Sequence, residues 1–145
     1  SSLYANVIVS ILLYAMKIIA HYLPQFHEFK ENNEFWGKGF TEWTCLNQFR
    51  PLFDGHRIRR PHADIGYYSL VDQQIRKKQG ELAKHYGLHG FCYYHYWFGE
   101  KPVMELPLEL MLQDGYPDLP FCLSWANKSW TRRMNRGDGS VLIHE

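Results

Sequence analysis

An uninterrupted apolar and aromatic run near the middle of the chain constrains the fold more than any other feature. Residues 91–98 read FCYYHYWF, without a charged side chain, a proline or a glycine. A run of this kind predicts a strand buried on both faces, as in parallel sheets. Because parallel strands are joined by crossover connections, helices are expected before and after it.

The segment before this run has the pattern of an amphipathic helix. Asp72 is expected to cap a helix that continues to Tyr86, with Gly87 just beyond its end. Its apolar face is predicted to consist of Ile75, Leu82, Ala83 and Tyr86. Gly80 weakens such a helix by about 1 kcal/mol relative to alanine, which indicates that a small residue is needed there.

Two more strands and one more helix complete the predicted order. Strands are expected at 17–23 and 121–125, and a second helix at 106–114. Residues 24–70 follow neither period for long, and an irregular stretch of this length is typically functional. The order strand, long loop, helix, strand, helix, strand predicts an α/β fold with parallel strands.

Composition and charge exclude several classes of partner. The formal net charge of +1 gives no support for a nucleic-acid partner. The apolar run at residues 7–15 is too short to span a bilayer, so no stable membrane insertion is predicted. Residues 1–15 are interpreted as an extension or artefact before a natural start at Met16. The alternatives are a real extra segment packed on the domain and a truncated signal or membrane anchor. Residues 16–145 are then one domain.

The cysteines indicate a reducing compartment. The chain has three of them, Cys45, Cys92 and Cys122, and no Cys-x-x-Cys pair. Neither a disulfide framework nor a zinc site is supported, and a cytoplasmic location fits best. Cys92 and Cys122 lie in apolar runs and are expected in the core.

The carboxyl ends of the three strands predict the position of a functional site. Ligands of parallel α/β folds bind at these ends and on the loops that follow them. Here the ends are polar and aromatic although the strand bodies are apolar. The residues selected are His21, Tyr22, His95, Tyr96, Trp97, Trp125 and Asn127.

Two side chains are candidates for a catalytic role. His95 could hydrogen-bond a sugar hydroxyl or transfer a proton, and its alternative is a core histidine in an aromatic layer. Glu42 could accept hydrogen bonds from paired sugar hydroxyls, and its alternative is an ion pair with a neighbouring arginine that fixes the loop.

Other residues of the loops have binding chemistry. Trp36 and Trp43 could stack on a sugar face or anchor the long loop. Trp130 and Arg132 follow the third strand, where the guanidinium suits a carboxylate or phosphate. A nucleotide sugar is expected to use Arg132 or the cluster of arginines at positions 57, 59 and 60.

The sequence shows no complete set of catalytic residues. No convincing pair of carboxylates, as glycosidases need, stands out. Asp-x-Asp, a phosphate-binding glycine loop and metal-ligand histidine spacings are absent from the sequence. No cofactor or metal is therefore predicted.

Four segments carry a family resemblance. AHYLPQFHEFKENNEFWGKGFTEWT, PLFDGHRIRRPHADIGYYSL, GLHGFCYYHYWF and PFCLSWANKSWTRR occur in this order from residue 20 onward. They resemble the WbsX-like glycosyltransferase family, which is similar in turn to glycoside hydrolase family 99-like domains. The resemblance runs from about Met16 to the end of the chain.

The resemblance implies the N-terminal portion of a (β/α)8 barrel, with about three βα units present, that acts on a glycan or sugar donor in bacterial O-antigen or capsule synthesis. Catalytic glutamates of the hydrolase relatives would lie beyond Glu145. It assigns sugar-cleft positions to Tyr22, Gln25, Trp36, Glu42, Trp43, His95, Trp97, Asn127 and Trp130. A retaining glycoside hydrolase and a non-catalytic glycan-binding module remain alternatives, as does an inert fragment of poor solubility.

Overall fold

A computed structural model describes residues 16–98, 100–126, 130–131 and 141–143. The extension predicted at residues 1–15 lies outside this part of the chain. The strands are β1 (Ile19–Tyr22), β2 (Gly90–Phe98), β3 (Lys101–Val103), β4 (Phe121–Ala126), β5 (Trp130–Thr131) and β6 (Val141–Ile143). The helices are α1 (Lys30–Trp36), α2 (Glu42–Gln48), α3 (Gln73–His85) and α4 (Leu106–Asp114).

The centre of the fold is a parallel sheet of β1, β2 and β4, with β2 in the middle. His21 of β1 is aligned with Cys92 of β2, and Cys92 is aligned with Cys122 of β4. The helices α3 and α4 precede β2 and β4 respectively. The predicted α/β order and the parallel pairing of the three strands are confirmed.

The short strand β3 was not predicted. It pairs antiparallel with the last residues of β2, where Tyr96 is aligned with Val103. On the other edge of β2, Tyr96 is aligned with Ala126 of β4. Since a strand has two edges, β1 and β3 share one edge of β2, β1 along its first half and β3 along its end. A two-stranded antiparallel pair of β5 and β6 was also not predicted.

Helix α3 has the predicted ends. The Asp72 carboxylate accepts a hydrogen bond from the Gln74 backbone N–H at 2.8 Å, and Gly87 is left-handed with φ +76°. Gly80 is small because Pro117 lies against it: a Cβ at this glycine would be 2.8 Å from Pro117 Cβ. The packing need that the sequence indicated at Gly80 is thus a contact with the loop that follows α4.

The core lies between α3, α4 and one face of the sheet. Its buried members are Tyr22, Leu70, Ala83, Phe91, Tyr93, Leu108 and Met111. Ala83 and Ile75 of the predicted helix face contribute to it, but Tyr86 does not, since 77% of its surface is exposed. Tyr86 follows the last residue of α3, where the helix has passed the core.

Two cysteine predictions were wrong. Cys122 is exposed and Cys92 is only half-buried. Successive side chains of a strand point to opposite faces. Because Phe91 and Tyr93 face the helices, Cys92 lies on the opposite face of the sheet, and Cys122 is aligned with it.

The long loop contains two short helices, α1 and α2, where the sequence indicated no regular structure. Each has seven residues. Helices this short have little stability of their own and depend on tertiary contacts. For α2 these contacts come from Trp43, whose ring packs against Phe26 and Tyr68 with centroid distances of 4.6 and 5.0 Å.

A buried arginine, which was not predicted, joins α3 to α4. The Arg76 guanidinium donates hydrogen bonds to Leu70 O at 2.8 Å, to Tyr116 O at 3.0 Å and to the Asp114 carboxylate. Its side chain is 1% exposed. Burial opposes ionisation of Asp114, but the Tyr116 backbone N–H and the Arg76 charge outweigh it and lower the pKa of that carboxyl.

Candidate functional site

The carboxyl ends of the parallel strands lie side by side, as the site prediction requires. His95 of β2 is aligned with Trp125 of β4, and Tyr96 with Ala126. On the other edge, β1 ends at Tyr22, which is aligned with Tyr93. The strand-end residues therefore lie together at the carboxyl end of the sheet. Alternation along β2 nevertheless divides them between the two faces of the sheet.

One face carries a row of rings and polar atoms. His21 of β1 contacts Tyr94 with a ring-centroid distance of 5.3 Å, and Tyr94 stacks on Tyr96 at 6.1 Å. The Tyr96 hydroxyl donates a hydrogen bond to Gln25 Oε1 at 3.1 Å. Gln25 thus brings the start of the long loop against the end of β2.

The other face carries an exposed pair of indoles. Trp97 and Trp125 stack with centroids 5.9 Å apart and planes inclined by 26°. They remain 37% and 59% exposed. His95 contacts both, at 5.8 Å from Trp97 and 5.7 Å from Trp125. The two indoles thus form an aromatic surface with the His95 imidazole beside it.

Glu42 begins α2 and is partly buried beside the first of these two faces. Burial raises the pKa of its carboxyl. Burial, Tyr94 and the Glu42 charge together raise the pKa of Tyr96 to about 12, which indicates that Glu42 is near that hydroxyl. Among the described residues no cation forms an ion pair with Glu42, so the loop-fixing salt bridge considered for it is not found there.

Two predicted stacking residues are engaged in holding the loop. The Trp43 indole N–H donates to Tyr68 O at 2.7 Å, and its ring lies among Phe26 and Tyr68. Trp36 stacks on Phe40 at 5.6 Å. Both indoles therefore contact other residues of the long loop, and stacking on a sugar stays a prediction for them.

Tyr22 is placed in the core. Its hydroxyl donates to Gln79 Oε1 of α3 at 2.6 Å, its ring lies 4.6 Å from that of Tyr93, and burial raises its pKa. Only 9% of its surface is exposed. Asn127 and Arg132 lie outside the described residues, and Trp130 is described only as part of β5.

Glu42 lines one cavity, and a second cavity adjoins it. The first, of about 300 Å³, is bounded by Glu42, Trp43 and Phe26, together with Cys45, Leu46 and Phe49. The last three residues also line a larger cavity of about 880 Å³, built from α2 and the loop that follows it. The two cavities therefore share a wall.

Neither a metal cluster nor a membrane-spanning helix is found in the part of the chain that the structure covers. Its His, Cys, Asp and Glu residues form no group of three or more that could hold a metal ion. None of its helices is long and apolar enough to cross a bilayer.

Comparison with known proteins identifies relatives over most of the chain. The family described as Glycosyltransferase WbsX matches residues 18–145. The uncharacterized protein WxcX from each of two strains of Xanthomonas campestris pv. campestris is 44% identical over 128 residues. The match covers 88% of this chain but 18% of each relative, so the chain spans about a fifth of their length. No solved structure matches.

Proposed function

The chain belongs to the WbsX glycosyltransferase family, and we propose that it forms part of the sugar-binding cleft of a glycan-active enzyme. The observation that carries the proposal is the exposed indole pair, Trp97 and Trp125, beside His95 at the carboxyl ends of two parallel strands. A pyranose has an apolar C–H face and a polar rim. A flat indole surface with an imidazole at its edge matches both.

The polar residues of the opposite face support the same function. Gln25, Tyr96 and Glu42 lie together where β2 meets the long loop. An amide, a phenol and a carboxylate can donate to and accept from adjacent sugar hydroxyls. His21 extends this polar row along the sheet.

Glu42 is the proposed catalytic carboxylate among the described residues, and His95 the second candidate. Burial raises the pKa of the Glu42 carboxyl, and a carboxyl perturbed by its surroundings suits general acid–base catalysis. In the alternative of a retaining hydrolase of the family 99-like type, the catalytic glutamates would lie beyond Glu145 and Glu42 would bind sugar hydroxyls.

The architecture we propose is a (β/α)8 barrel in which residues 16–145 are the N-terminal portion. Among the described residues β1 and β4 each pair only with β2. Near those open edges Ile19, Phe121 and Leu123 are each nearly half exposed. Further parallel strands and helices would cover these side chains, and the much greater length of the relatives leaves room for them.

The biological role we propose is the synthesis of bacterial O-antigen or capsular polysaccharide from a sugar donor in the cytoplasm. The family membership supports the transfer reaction, and the three free cysteines suit a reducing compartment.

The test is a binding and activity comparison on the full-length protein. The double variant W97A/W125A should bind acceptor polysaccharide at least about tenfold more weakly, which corresponds to about 1.4 kcal/mol. Y86A is the matched control, since it removes an exposed aromatic from the end of α3, and it should bind like the wild type.

Equal binding by W97A/W125A and the wild type would refute the sugar platform. Incubation with nucleotide sugars and, separately, with polysaccharide alone distinguishes the reactions: transfer is expected, whereas cleavage without any transfer would favour the hydrolase. Binding without turnover in either assay would favour the glycan-binding module.

A further inference from the structure

We propose that the cavity of about 880 Å³ beside α2 binds the diphosphate of an activated sugar carrier, with Arg57 and Arg59 as the phosphate ligands. This inference rests on the proposed function, because a transferase needs an activated donor. It assigns that donor to a site separate from the indole pair.

The charge of the cavity wall is strongly positive. Residues 48–62 contain four arginines and one acidic residue, Asp54. Arg50, Arg57 and Arg59 line the cavity, and Asp54 does not. A concave surface with one sign of charge raises the local concentration of ligands of the opposite sign.

The arginines of this loop divide into two pairs by their contacts. Arg50 donates to Asn47 O at 2.8 Å, and Arg60 donates to Leu46 O at 2.6 Å, so these two hold the loop against α2. Arg57 and Arg59 make no hydrogen bond or ion pair with the other described residues. Two guanidinium groups in one cavity, without acidic partners there, are suited to the paired phosphate groups of a diphosphate.

The loop that presents them is held in a defined shape. The Leu52 backbone N–H donates to His56 Nδ1 at 3.1 Å, and the His56 ring stacks on Phe53 at 4.9 Å with planes inclined by 13°. Gly55 has φ +84°, a conformation that favours glycine at this turn. Arg57 and Arg59 follow directly after this closed turn.

The rest of the wall is apolar. Phe49, Leu52 and Ile58 line the cavity, and Phe49 and Leu52 are 53% and 79% exposed. Such a surface can pack against the flat face of the base of a nucleoside diphosphate or against the first isoprene units of a polyprenyl diphosphate. The chemistry that the two carriers share is the diphosphate itself.

The location of the cavity relates it to the proposed chemistry. Cys45, Leu46 and Phe49 line both this cavity and the smaller one that contains Glu42. The two cavities therefore share a wall, and a donor held by Arg57 and Arg59 would lie beside the cavity that contains Glu42.

The experiment measures binding of four probes to the full-length protein: inorganic pyrophosphate, UDP, GDP and undecaprenyl diphosphate in detergent micelles. Wild type should bind at least one of them, and R57Q/R59Q should weaken that binding at least about tenfold. R57K/R59K should lose part of the affinity, because a lysine cannot form the bidentate pair. The control K17Q/K38Q removes two exposed cations elsewhere and should leave binding unchanged.

The probes also distinguish the two carriers. Tighter binding of UDP or GDP than of pyrophosphate supports a nucleoside diphosphate, and tighter binding of the polyprenyl probe supports a lipid carrier. No binding of any probe, or equal affinities for R57Q/R59Q and the wild type, would overturn the inference. If R57Q/R59Q retains wild-type diphosphate affinity while W97A/W125A loses glycan binding, this inference fails and the proposed function stands. If W97A/W125A retains wild-type glycan binding while R57Q/R59Q loses diphosphate binding, the sugar platform is refuted and the diphosphate site stands.

Discussion

Replacing the buried Arg76 by methionine should destabilise the fold more than any surface change. Methionine keeps an unbranched apolar stem but removes the charge and every donor. The substitution leaves Leu70 O and Tyr116 O without the hydrogen bonds they now accept, and it leaves Asp114 without its cation. All three losses arise at the junction of α3, α4 and the loop after α4.

The magnitude follows from the burial of each partner. Removing one member of a buried ion pair costs about 3–5 kcal/mol. Asp114 is 21% exposed and regains some contact with water, so the lower end, about 3 kcal/mol, is expected. The control is K84M on the same helix: Lys84 pairs with Asp118, but the two side chains are 51% and 79% exposed. An exposed pair of this kind contributes about 0–1 kcal/mol.

Urea unfolding of R76M and K84M, followed by tryptophan fluorescence, measures the difference. The pH dependence gives a second readout. Because the folded pKa of Asp114 is lowered, its contribution is complete above the unfolded value of about 3.9 and is lost as the pH falls through the folded pKa. R76M should reduce this loss of stability at low pH. A decrease in the free energy of unfolding below about 1 kcal/mol, with the same pH dependence as the wild type, would refute the reasoning.

Three further substitutions test the packing. G80A should lower the free energy of unfolding by about 1–3 kcal/mol despite the better helix propensity of alanine, because its Cβ would lie 2.8 Å from Pro117 Cβ; a rise in the thermal midpoint would contradict this. Burial lowers the pKa of His27, so the free energy of unfolding should fall as the pH drops below about 6.5, by at most about 1.4 kcal/mol per pH unit. H27F should remove this pH dependence in urea unfolding. The same pH dependence in H27F and the wild type would show that His27 is not its source. The buried Tyr93 hydroxyl has no hydrogen-bond partner among the described residues, so Y93F should change stability by less than about 0.5 kcal/mol or increase it; a loss above about 1 kcal/mol by urea unfolding would reveal a partner.

The helices α3 and α4 and the three parallel strands were predictable because each is encoded by its own local pattern. The cap at Asp72, the left-handed Gly87 and the apolar run of β2 act within a few residues. The bounds of α4, Leu106–Asp114, agree with the predicted 106–114 for the same reason. These elements form as predicted because no tertiary contact opposes the local preferences of their residues.

Features that depend on contacts between distant residues were not predictable. Arg76 can be buried only because its guanidinium donates hydrogen bonds to Asp114, 38 residues away, and to two carbonyl oxygens. Likewise α2 is secured by Trp43 and Tyr68, which are 25 residues apart. Nothing within a few residues of Arg76 or Trp43 distinguishes them from exposed residues of the same type.

The strand-end rule selected a set of residues that strand alternation then divides. His21 and Tyr22 are neighbours at the end of β1, yet Tyr22 points between the helices and the sheet, while His21 lies on the opposite face against Tyr94. Alternation also separates Tyr96 and its partner Gln25 from His95 and the indole pair. A ligand that contacts both groups must therefore cross the carboxyl end of β2 rather than lie on one face of the sheet. This predicts that W97A and Q25A weaken glycan binding independently, so that their free-energy losses add in the double variant.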